Sequence, residues 1–138
     1  MIFIPQSIID GIIAQARNEL PDEACGLLVG SRDVSRHVFK QYPLTNIDHS
    51  PEHFSFDPKE QFGVLRDARS QGWQIIANYH SHPESPARPS EEDIRLAFDP
   101  EIIYIILSLQ EKDNPVIKAF SIEGGKVEEV PLNSCDIV

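Results

Sequence analysis

The first part of the chain combines an amphipathic helical pattern with two strand-like runs. Apolar residues recur at helical spacing from residue 6, and Pro21 stops that pattern, so we predict a helix over 6–20. Residues 24–30 form a short apolar run that ends in glycine, which predicts a buried strand. Residues 34–42 alternate loosely between apolar and polar side chains and predict a second strand, with the turn at 30–33.

A second helix is predicted after a polar loop at residues 45–51. Asp57 is its expected N-cap, Pro58 occupies its first position and Gly72 follows its last turn. The side chains expected to form its buried stripe are Phe62, Leu65 and Ala68.

The second half of the chain is richer in strand-like patterns. In chain order we predict a strand at 73–79, a loop with three prolines at 83–89, a short helix at 90–98, a strand at 102–109, and a hairpin formed by 116–122 and 126–130. The run at 102–109 is the longest continuous apolar stretch, which is typical of a central strand buried on both faces. Together these patterns predict a mixed sheet with three helices, an α/β or α+β domain.

Composition narrows the class of protein. With 138 residues, 41% of them hydrophobic, the chain is expected to form a single domain over 1–138. A net charge of −10 argues against nucleic acid as a partner, because phosphate binding needs clustered Lys and Arg. No apolar run approaches the ~20 residues that span a bilayer, so we expect no membrane partner. Without a basic leader, and with only Cys25 and Cys135 as cysteines, we expect a soluble cytoplasmic protein.

The segment His80-Ser81-His82 carries the clearest chemical signal. Residues two apart in a strand point to the same face, so both imidazoles can reach one metal ion, and zinc suits neutral imidazole ligands. Asp93 can supply a third ligand, because the proline-rich loop restricts the path of the chain and a helix start favours a carboxylate. Three such ligands leave a divalent ion with a net positive charge, which can acidify a bound water.

The segment that contains Asp93 has an alternative explanation. Ser90-Glu91-Glu92-Asp93 matches a capping box, with Ser90 as N-cap and Asp93 at the third helical position. A capping box needs no metal, and the local pattern alone does not separate the cap from the ligand. Both roles can coexist in the same segment.

Two further sets of residues offer alternative chemistry. A thiol peptidase built from Cys25, His80 and Asp93 is conceivable, although a cysteine inside an apolar run is ordinarily a buried structural thiol. His49 and His53 are four residues apart, but Pro51 between them makes a helix improbable there, so surface positions are expected.

These residues together resemble the JAMM (MPN-plus) metallopeptidase family. His80-x-His82, seven further residues and then Ser90-x-x-Asp93 reproduce the JAMM motif without a gap. The family also has a glutamate upstream at the edge of an early strand, and Glu23 stands in that position. The order of predicted helices and strands is also the family's. The resemblance therefore implies a mixed sheet flanked by helices, in the MPN/JAB domain with its cytidine-deaminase-like architecture.

The resemblance also implies a role for each of the five residues. In JAMM enzymes the residues that match His80, His82 and Asp93 bind zinc, so one zinc ion per chain is expected. The residue that matches Glu23 acts as general base on the attacking water, and the one that matches Ser90 stabilises the tetrahedral intermediate. All five are present, so the chain is expected to be an active member and not a metal-free scaffold.

The family's substrates are ubiquitin-like proteins that end in Gly-Gly. The short chain is similar to bacterial and archaeal members that are linked to ubiquitin-like sulfur carriers, some of which release cysteine from the carrier's terminal glycine. The resemblance thus implies a peptidase or isopeptidase with a sulfur carrier or its adduct as partner, and residues 50–58 resemble a segment that flanks the substrate groove. Two alternatives remain open: a non-catalytic MPN-type protein-binding scaffold, or a zinc hydrolase of a small amide.

Overall fold

One mixed sheet runs through the computed structural model, which describes residues 1–134. Within that range the strands are β1 (Ile2–Ile4), β2 (Cys25–Ser31), β3 (Arg36–Leu44), β4 (Gln74–His82), β5 (Ile103–Ser108), β6 (Val116–Glu123), β7 (Lys126–Val130) and β8 (Leu132–Ser134). The helices are α1 (Gln6–Glu19), α2 (Pro58–Ser70) and α3 (Glu91–Arg95). This is the mixed α+β architecture that the sequence predicts.

The strand order across the sheet places β4 near its centre. The order is β7-β6-β5-β4-β2-β3-β1-β8, and β4 therefore has a hydrogen-bonded neighbour on each side. It runs parallel to β5 and antiparallel to β2, while β1 runs parallel to both β3 and β8. Pairing on both sides restrains the β4 backbone as far as His80, and pairing with β5 continues to His82 at the end of the strand.

The helices cover the two faces of the sheet unequally. Helix α1 packs on one face through Ile9, Ile12 and Ala16, where the sheet contributes residues such as Leu28 and Tyr79. On the opposite face α2 covers one apolar cluster and α3 covers another. All six residues of β5 are buried, which agrees with the continuous apolar run that predicts it. In the β6–β7 hairpin, Gly124 and Gly125 both have positive φ, the backbone that a two-residue type I′ turn requires.

The helices and the inner strands confirm most of the sequence predictions, with differences at their ends. Helix α3 ends at Arg95, whereas the predicted helix reaches residue 98, and the Phe98 side chain is 83% exposed. Strand β4 continues to His82, three residues beyond the predicted end at 79. Two short strands, β1 and β8, were not predicted, because three-residue strands carry too little pattern and form only by pairing with distant segments.

The predicted buried stripe of α2 is wrong for two of its three residues. Phe62 is 64% exposed and Leu65 is 36% exposed, whereas Val64 and Ala68 are buried. Val64 and Ala68 are four residues apart and so share one helix face, the face that α2 turns toward β2, β3 and β4. The largest apolar side chains therefore do not define the packed face, which is decided by where the helix contacts the sheet.

Two structural findings concern membrane spans and the cysteines. Among residues 1–134, no helix has both the length and the apolar character needed to cross a membrane. Cys25 is a buried free thiol, while Cys135 lies outside the described residues.

Candidate metal centre and active site

The two histidines of the sequence motif lie at the end of β4, on the face that α2 and α3 cover. His80 pairs with Cys25 on β2 and with Ile106 on β5, so its backbone is held from both sides. His82 is held by β5, and its carbonyl also accepts a hydrogen bond from the Leu109 N–H at 3.0 Å. Both imidazoles are buried and, two residues apart on one strand, they point to the same face. The side-chain direction predicted from strand periodicity is therefore confirmed.

Asp93 reaches the histidines from the first turn of α3. Its carboxylate belongs to a complete capping box: the Ser90 hydroxyl accepts from the Asp93 N–H at 3.0 Å, and Asp93 Oδ2 accepts from the Ser90 N–H at 2.9 Å. The same oxygen, Oδ2, lies 3.1 Å from His80 Nε2 and 3.2 Å from His82 Nε2. The capping interpretation is confirmed, and it coexists with an orientation toward the imidazoles.

The three side chains form a compact triangle of possible ligand atoms. His80 Nε2 and His82 Nε2 are 3.1 Å apart, and each is about equally far from Asp93 Oδ2. A tetrahedral ion with bonds of ~2.0–2.1 Å separates its ligand atoms by about 3.3–3.4 Å, so the triangle approaches one face of such a site. Among residues 1–134 these three residues form the group whose ligand atoms are close enough to hold a metal ion.

The hydrogen bonds around the histidines fit a metal better than a purely polar cluster. His82 Nδ1 donates to the Pro86 carbonyl at 2.9 Å, so the Nδ1 proton is fixed and Nε2 presents its lone pair to the site. Phe54 stacks on the His80 ring at a centroid distance of 4.6 Å, which holds that ring in place. His82 Nε2 and the Asp93 carboxylate oxygen thus converge as acceptors beside His80 Nε2, and a shared cation is what stabilises such a set.

The pKa shifts of His80 and Asp93 favour the protonation states that metal ligands need, whereas that of His82 favours the imidazolium. Burial lowers the pKa of His80, which keeps this imidazole neutral. Burial also acts to lower the pKa of His82, but hydrogen bonds with Asp93 and with the Pro86 carbonyl outweigh it and raise the pKa. Burial acts to raise the pKa of Asp93, yet hydrogen bonds with both histidines outweigh it and hold the pKa well below its usual range. Asp93 is therefore ionised at neutral pH.

Glu23 lies beside this cluster although it is far away in sequence. It stands just before β2 and is only 5% exposed. Two hydrogen bonds join the next residue to the middle of the histidine motif: the Ala24 N–H donates to Ser81 Oγ at 2.8 Å, and the Ser81 N–H donates to the Ala24 carbonyl at 2.9 Å. Burial raises the pKa of Glu23 to about 8, although the nearby His82 acts to lower it. A partly protonated carboxyl beside a cluster of ligands can act as an acid or a base near neutral pH.

A cleft of about 600 Å³ opens onto these residues. Its lining includes Glu23, His82 and Ser90, three of the five residues that the sequence places in catalysis and metal binding. The remaining lining comes from Lys112 and from three segments: Leu20 and Pro21; Pro51 and Glu52; and Pro83, Glu84 and Ser85. The cleft is therefore bounded partly by the segment around residues 50–58 that the resemblance predicts beside the substrate.

The loop at residues 45–56 contains contacts that the sequence does not reveal. Asn46 is buried, and its side chain donates to the Glu23 carbonyl at 3.0 Å. His53, predicted as a surface residue, is half exposed, and its Nδ1 lies 2.8 Å from Glu92 Oε1 on α3. The sequence contains only a weak signal for Asn46. An Asn side chain often accepts from the backbone N–H two residues later, here that of Asp48, and this arrangement is typical of a turn. That signal predicts a turn and not a contact with Glu23.

The structure does not support a thiol peptidase. Cys25 is fully buried, and its Sγ lies 3.8 Å from the Leu44 carbonyl. Burial raises the pKa of Cys25 to about 12, so the thiolate that nucleophilic attack requires is strongly disfavoured. The apolar neighbours of Cys25 in the cluster under α2 are those of a structural thiol.

The fold and the site together define a JAB/MPN-type domain with a possible metal centre. Residues 5–123 match the family described as prokaryotic homologs of the JAB domain. The chain is 32% identical over 133 residues to the CysO-cysteine peptidase of Mycobacterium tuberculosis, and the matched region covers 96% of this chain and 90% of that relative. It is 36% identical over 104 residues to a desampylase of Haloferax volcanii, and that match covers 72% of this chain and 74% of the relative. The chain therefore belongs to the prokaryotic JAB family, as the motif predicts.

Solved structures agree with this membership. The solution structure of a Desulfitobacterium hafniense protein has 48% identity and a TM-score of 0.92, and covers 100% of this chain and 95% of that one. A structure described as a JAMM metalloprotease-like zinc site in the proteasome and signalosome has 25% identity and a TM-score of 0.61, with 98% of each chain covered. The similarity extends over the whole sheet and supports a metal at the cluster of His80, His82 and Asp93.

Proposed function

We propose that this chain is a zinc-dependent peptidase or isopeptidase that hydrolyses the amide bond after the C-terminal Gly-Gly tail of a ubiquitin-like sulfur carrier. The observation that carries the proposal is the convergence of two imidazoles and a carboxylate within 3.1–3.2 Å, next to a cleft that also contains a buried glutamate. Within the described residues the donor set, the open cleft and an adjacent acid are the components that metal-assisted amide hydrolysis requires.

In this proposal His80, His82 and Asp93 hold a single zinc ion. Their donor set of two nitrogens and one oxygen is that of a catalytic zinc site, in which one position stays open. When bound, zinc supplies positive charge that polarises the scissile carbonyl and makes the attacking water more acidic. The Pro86 carbonyl orients His82, and the capping box of α3 orients Asp93, so both ligands are preorganised by the protein.

Glu23 is the proposed general base. It accepts the proton of the attacking water and delivers it to the nitrogen of the leaving amine. Its burial raises its pKa to about 8 in the protein alone, and a cation in the site opposes that shift and favours the carboxylate. The two influences bring its pKa toward the operating pH, where proton transfer in both directions is effective.

Ser90 is the proposed donor to the carbonyl oxygen. Its hydroxyl oxygen already accepts from the Asp93 N–H, so the hydroxyl proton remains available for the cleft that Ser90 lines. A donor directed at the oxygen that becomes negative in the transition state contributes about 3 kcal/mol to lowering the barrier.

The substrate class follows from the relatives and from the shape of the site. The Mycobacterium relative is named for cleaving a carrier–cysteine adduct, and the Haloferax relative for removing a protein modifier. A third relative, from Thermus thermophilus, is described as a probable TtuB-protein conjugate cleaving protease. These relatives act on conjugates of ubiquitin-like sulfur carriers, and the carrier is therefore the proposed acyl part of the substrate. The open cleft beside Glu23 provides space for the leaving amine, whether a free amino acid or a protein lysine.

The proposal is tested by incubating the zinc-loaded protein with two adducts of one sulfur carrier, one joined to cysteine and one to a protein lysine. Mass spectrometry should show the free carrier from at least one adduct, while an unrelated peptide and a short Gly-Gly amide stay intact. Glu23→Gln should bind zinc as the parent does and lose activity by about 100-fold or more. Turnover of the unrelated peptide alone, or parent activity in Glu23→Gln, would contradict the proposal.

A further inference from the structure

The backbone of Glu23 is held by the loop at 45–56 and not by the sheet. Glu23 lies two residues before the first residue of β2, and within residues 1–134 it has no ladder partner. Its N–H donates to the Ser50 carbonyl at 2.9 Å, and its carbonyl accepts from Asn46 Nδ2 at 3.0 Å. Both polar groups of this backbone are therefore satisfied by one loop.

Asn46 is the residue on which that arrangement depends. It is only 4% exposed, and its side chain makes four hydrogen bonds. Nδ2 donates to the carbonyls of Glu23 and His53, at 3.0 and 2.9 Å. Oδ1 accepts from the N–H groups of Asp48 and Ser55, at 3.0 and 3.3 Å. Two donors and two acceptor lone pairs are all that a carboxamide offers, so its capacity is fully used.

The contacts of Asn46 connect the glutamate to the other parts of the site. The His53 carbonyl that Asn46 holds is followed by Phe54, whose ring stacks on His80. The loop between the bonded positions also includes Pro51 and Glu52, which line the cleft. A shift at Asn46 is therefore transmitted both to the glutamate and to the wall of the cleft.

We infer that Asn46 is a positioning residue that fixes the Glu23 carboxyl relative to the histidine cluster through the Glu23 backbone. This inference rests on the proposed role of Glu23 as general base. The peptide after Glu23 is anchored by Asn46, through the Glu23 carbonyl, and by the reciprocal bonds between Ala24 and Ser81, while the peptide before Glu23 is anchored by the Ser50 carbonyl. With one anchor removed, Glu23 can rotate away from the site although β2 stays in place.

Two substitutions separate this role from a simple loop function. Asn46→Asp keeps the two acceptor bonds from Asp48 and Ser55, which form the turn, and loses the two donor bonds. Asn46→Ala loses all four. Ser55→Ala is the matched control, because it removes a bond of the same loop, from Ser55 Oγ to Asp48 Oδ2, that does not involve Glu23.

The first measurement is amide hydrogen exchange, which needs neither metal nor substrate. In both Asn46 variants the Glu23 amide should exchange about tenfold faster or more, while amides in β4 and β5 stay protected. Ser55→Ala should leave the Glu23 amide as in the parent. If Asn46→Ala does not fold, Asn46→Asp decides. Parent-like protection at Glu23 in a folded Asn46 variant would overturn the inference.

The second measurement is kinetic. At unchanged zinc content, the Asn46 variants should lose kcat by about 10- to 100-fold, with a smaller change in KM, because a misplaced base slows the chemical step. Ser55→Ala should keep the parent kcat. A purely structural role would instead lower zinc content, or move KM and leave kcat unchanged. If Glu23→Gln retains activity, the proposed function fails, but the exchange result still reports on the link between Asn46 and Glu23.

Discussion

The Ser90 hydroxyl combines an observed role as helix cap with a proposed role as donor to the substrate, and substitutions can separate the two. In the structure the hydroxyl accepts from the Asp93 N–H at 3.0 Å, which caps α3, and its proton remains free for the cleft. Ser90→Ala removes both functions. Ser90→Gly also removes the hydroxyl, but glycine is a tolerable N-cap, so the loss of stability is much smaller. Ser90→Thr retains a hydroxyl and should retain both functions.

The expected magnitudes differ for the two roles. Loss of the cap in Ser90→Ala should lower the free energy of unfolding by about 1 kcal/mol, a fall in Tm of about 3 °C for a chain of this size. Ser90→Gly should lose only a few tenths of a kcal/mol. Loss of the donor removes about 3 kcal/mol of transition-state stabilisation, so kcat should fall about 100-fold in both variants.

The assay combines thermal unfolding with steady-state cleavage of a carrier adduct, at matched zinc content. Activity and stability should separate, so that Ser90→Gly is nearly as stable as the parent and yet as inactive as Ser90→Ala. If Ser90→Gly retains kcat within about threefold of the parent, the hydroxyl is not a donor in the transition state. If the loss of kcat instead follows the loss of stability, Ser90 contributes only its cap.

Two further predictions concern pH and packing. Because burial raises the pKa of Glu23 from 4.5 to about 8, the stability that its protonation contributes is complete below pH 4.5 and is lost as the pH rises through about 8. The metal-free Glu23→Gln variant should therefore have a higher Tm than the metal-free parent at about pH 8–9 and no advantage at about pH 4, and an unchanged difference across that range would exclude the linkage. In α2, Val64→Ala should cost about 2 kcal/mol in urea unfolding, whereas the mostly exposed Phe62→Ser should stay within about 0.5 kcal/mol; the reverse order would contradict the packing described.

Local patterns predicted the parts of the site that local geometry creates. The spacing of His80 and His82 is a strand period, and the spacing of Ser90 and Asp93 is a capping box, so each pair is oriented by its own element. The sequence could not distinguish cap from ligand for Asp93, because that distinction depends on what lies opposite. The structure shows one oxygen, Oδ2, that contacts both the helix N-terminus and the imidazoles.

The packed face of α2 and the short strands β1 and β8 could not be predicted from the sequence. In α2 the pattern favours Phe62 and Leu65 by their size, yet the sheet contacts Val64 and Ala68. Strands β1 and β8 have three residues each and pair in parallel with each other, and no local pattern can encode a pairing across the length of the chain. Such features depend on contacts between segments that are far apart in sequence.

The sequence by itself determined the helices, the inner strands, the residue types for a metal and the membership in the JAMM-type family. Only the tertiary structure brought Glu23 to the cluster, through hydrogen bonds between Ala24 and Ser81, 57 residues apart, and through the four bonds of Asn46. The physical reason is that periodicity and capping act within a few residues, whereas a catalytic arrangement joins separate elements. Their relative positions are decided by packing and strand pairing over the whole sheet.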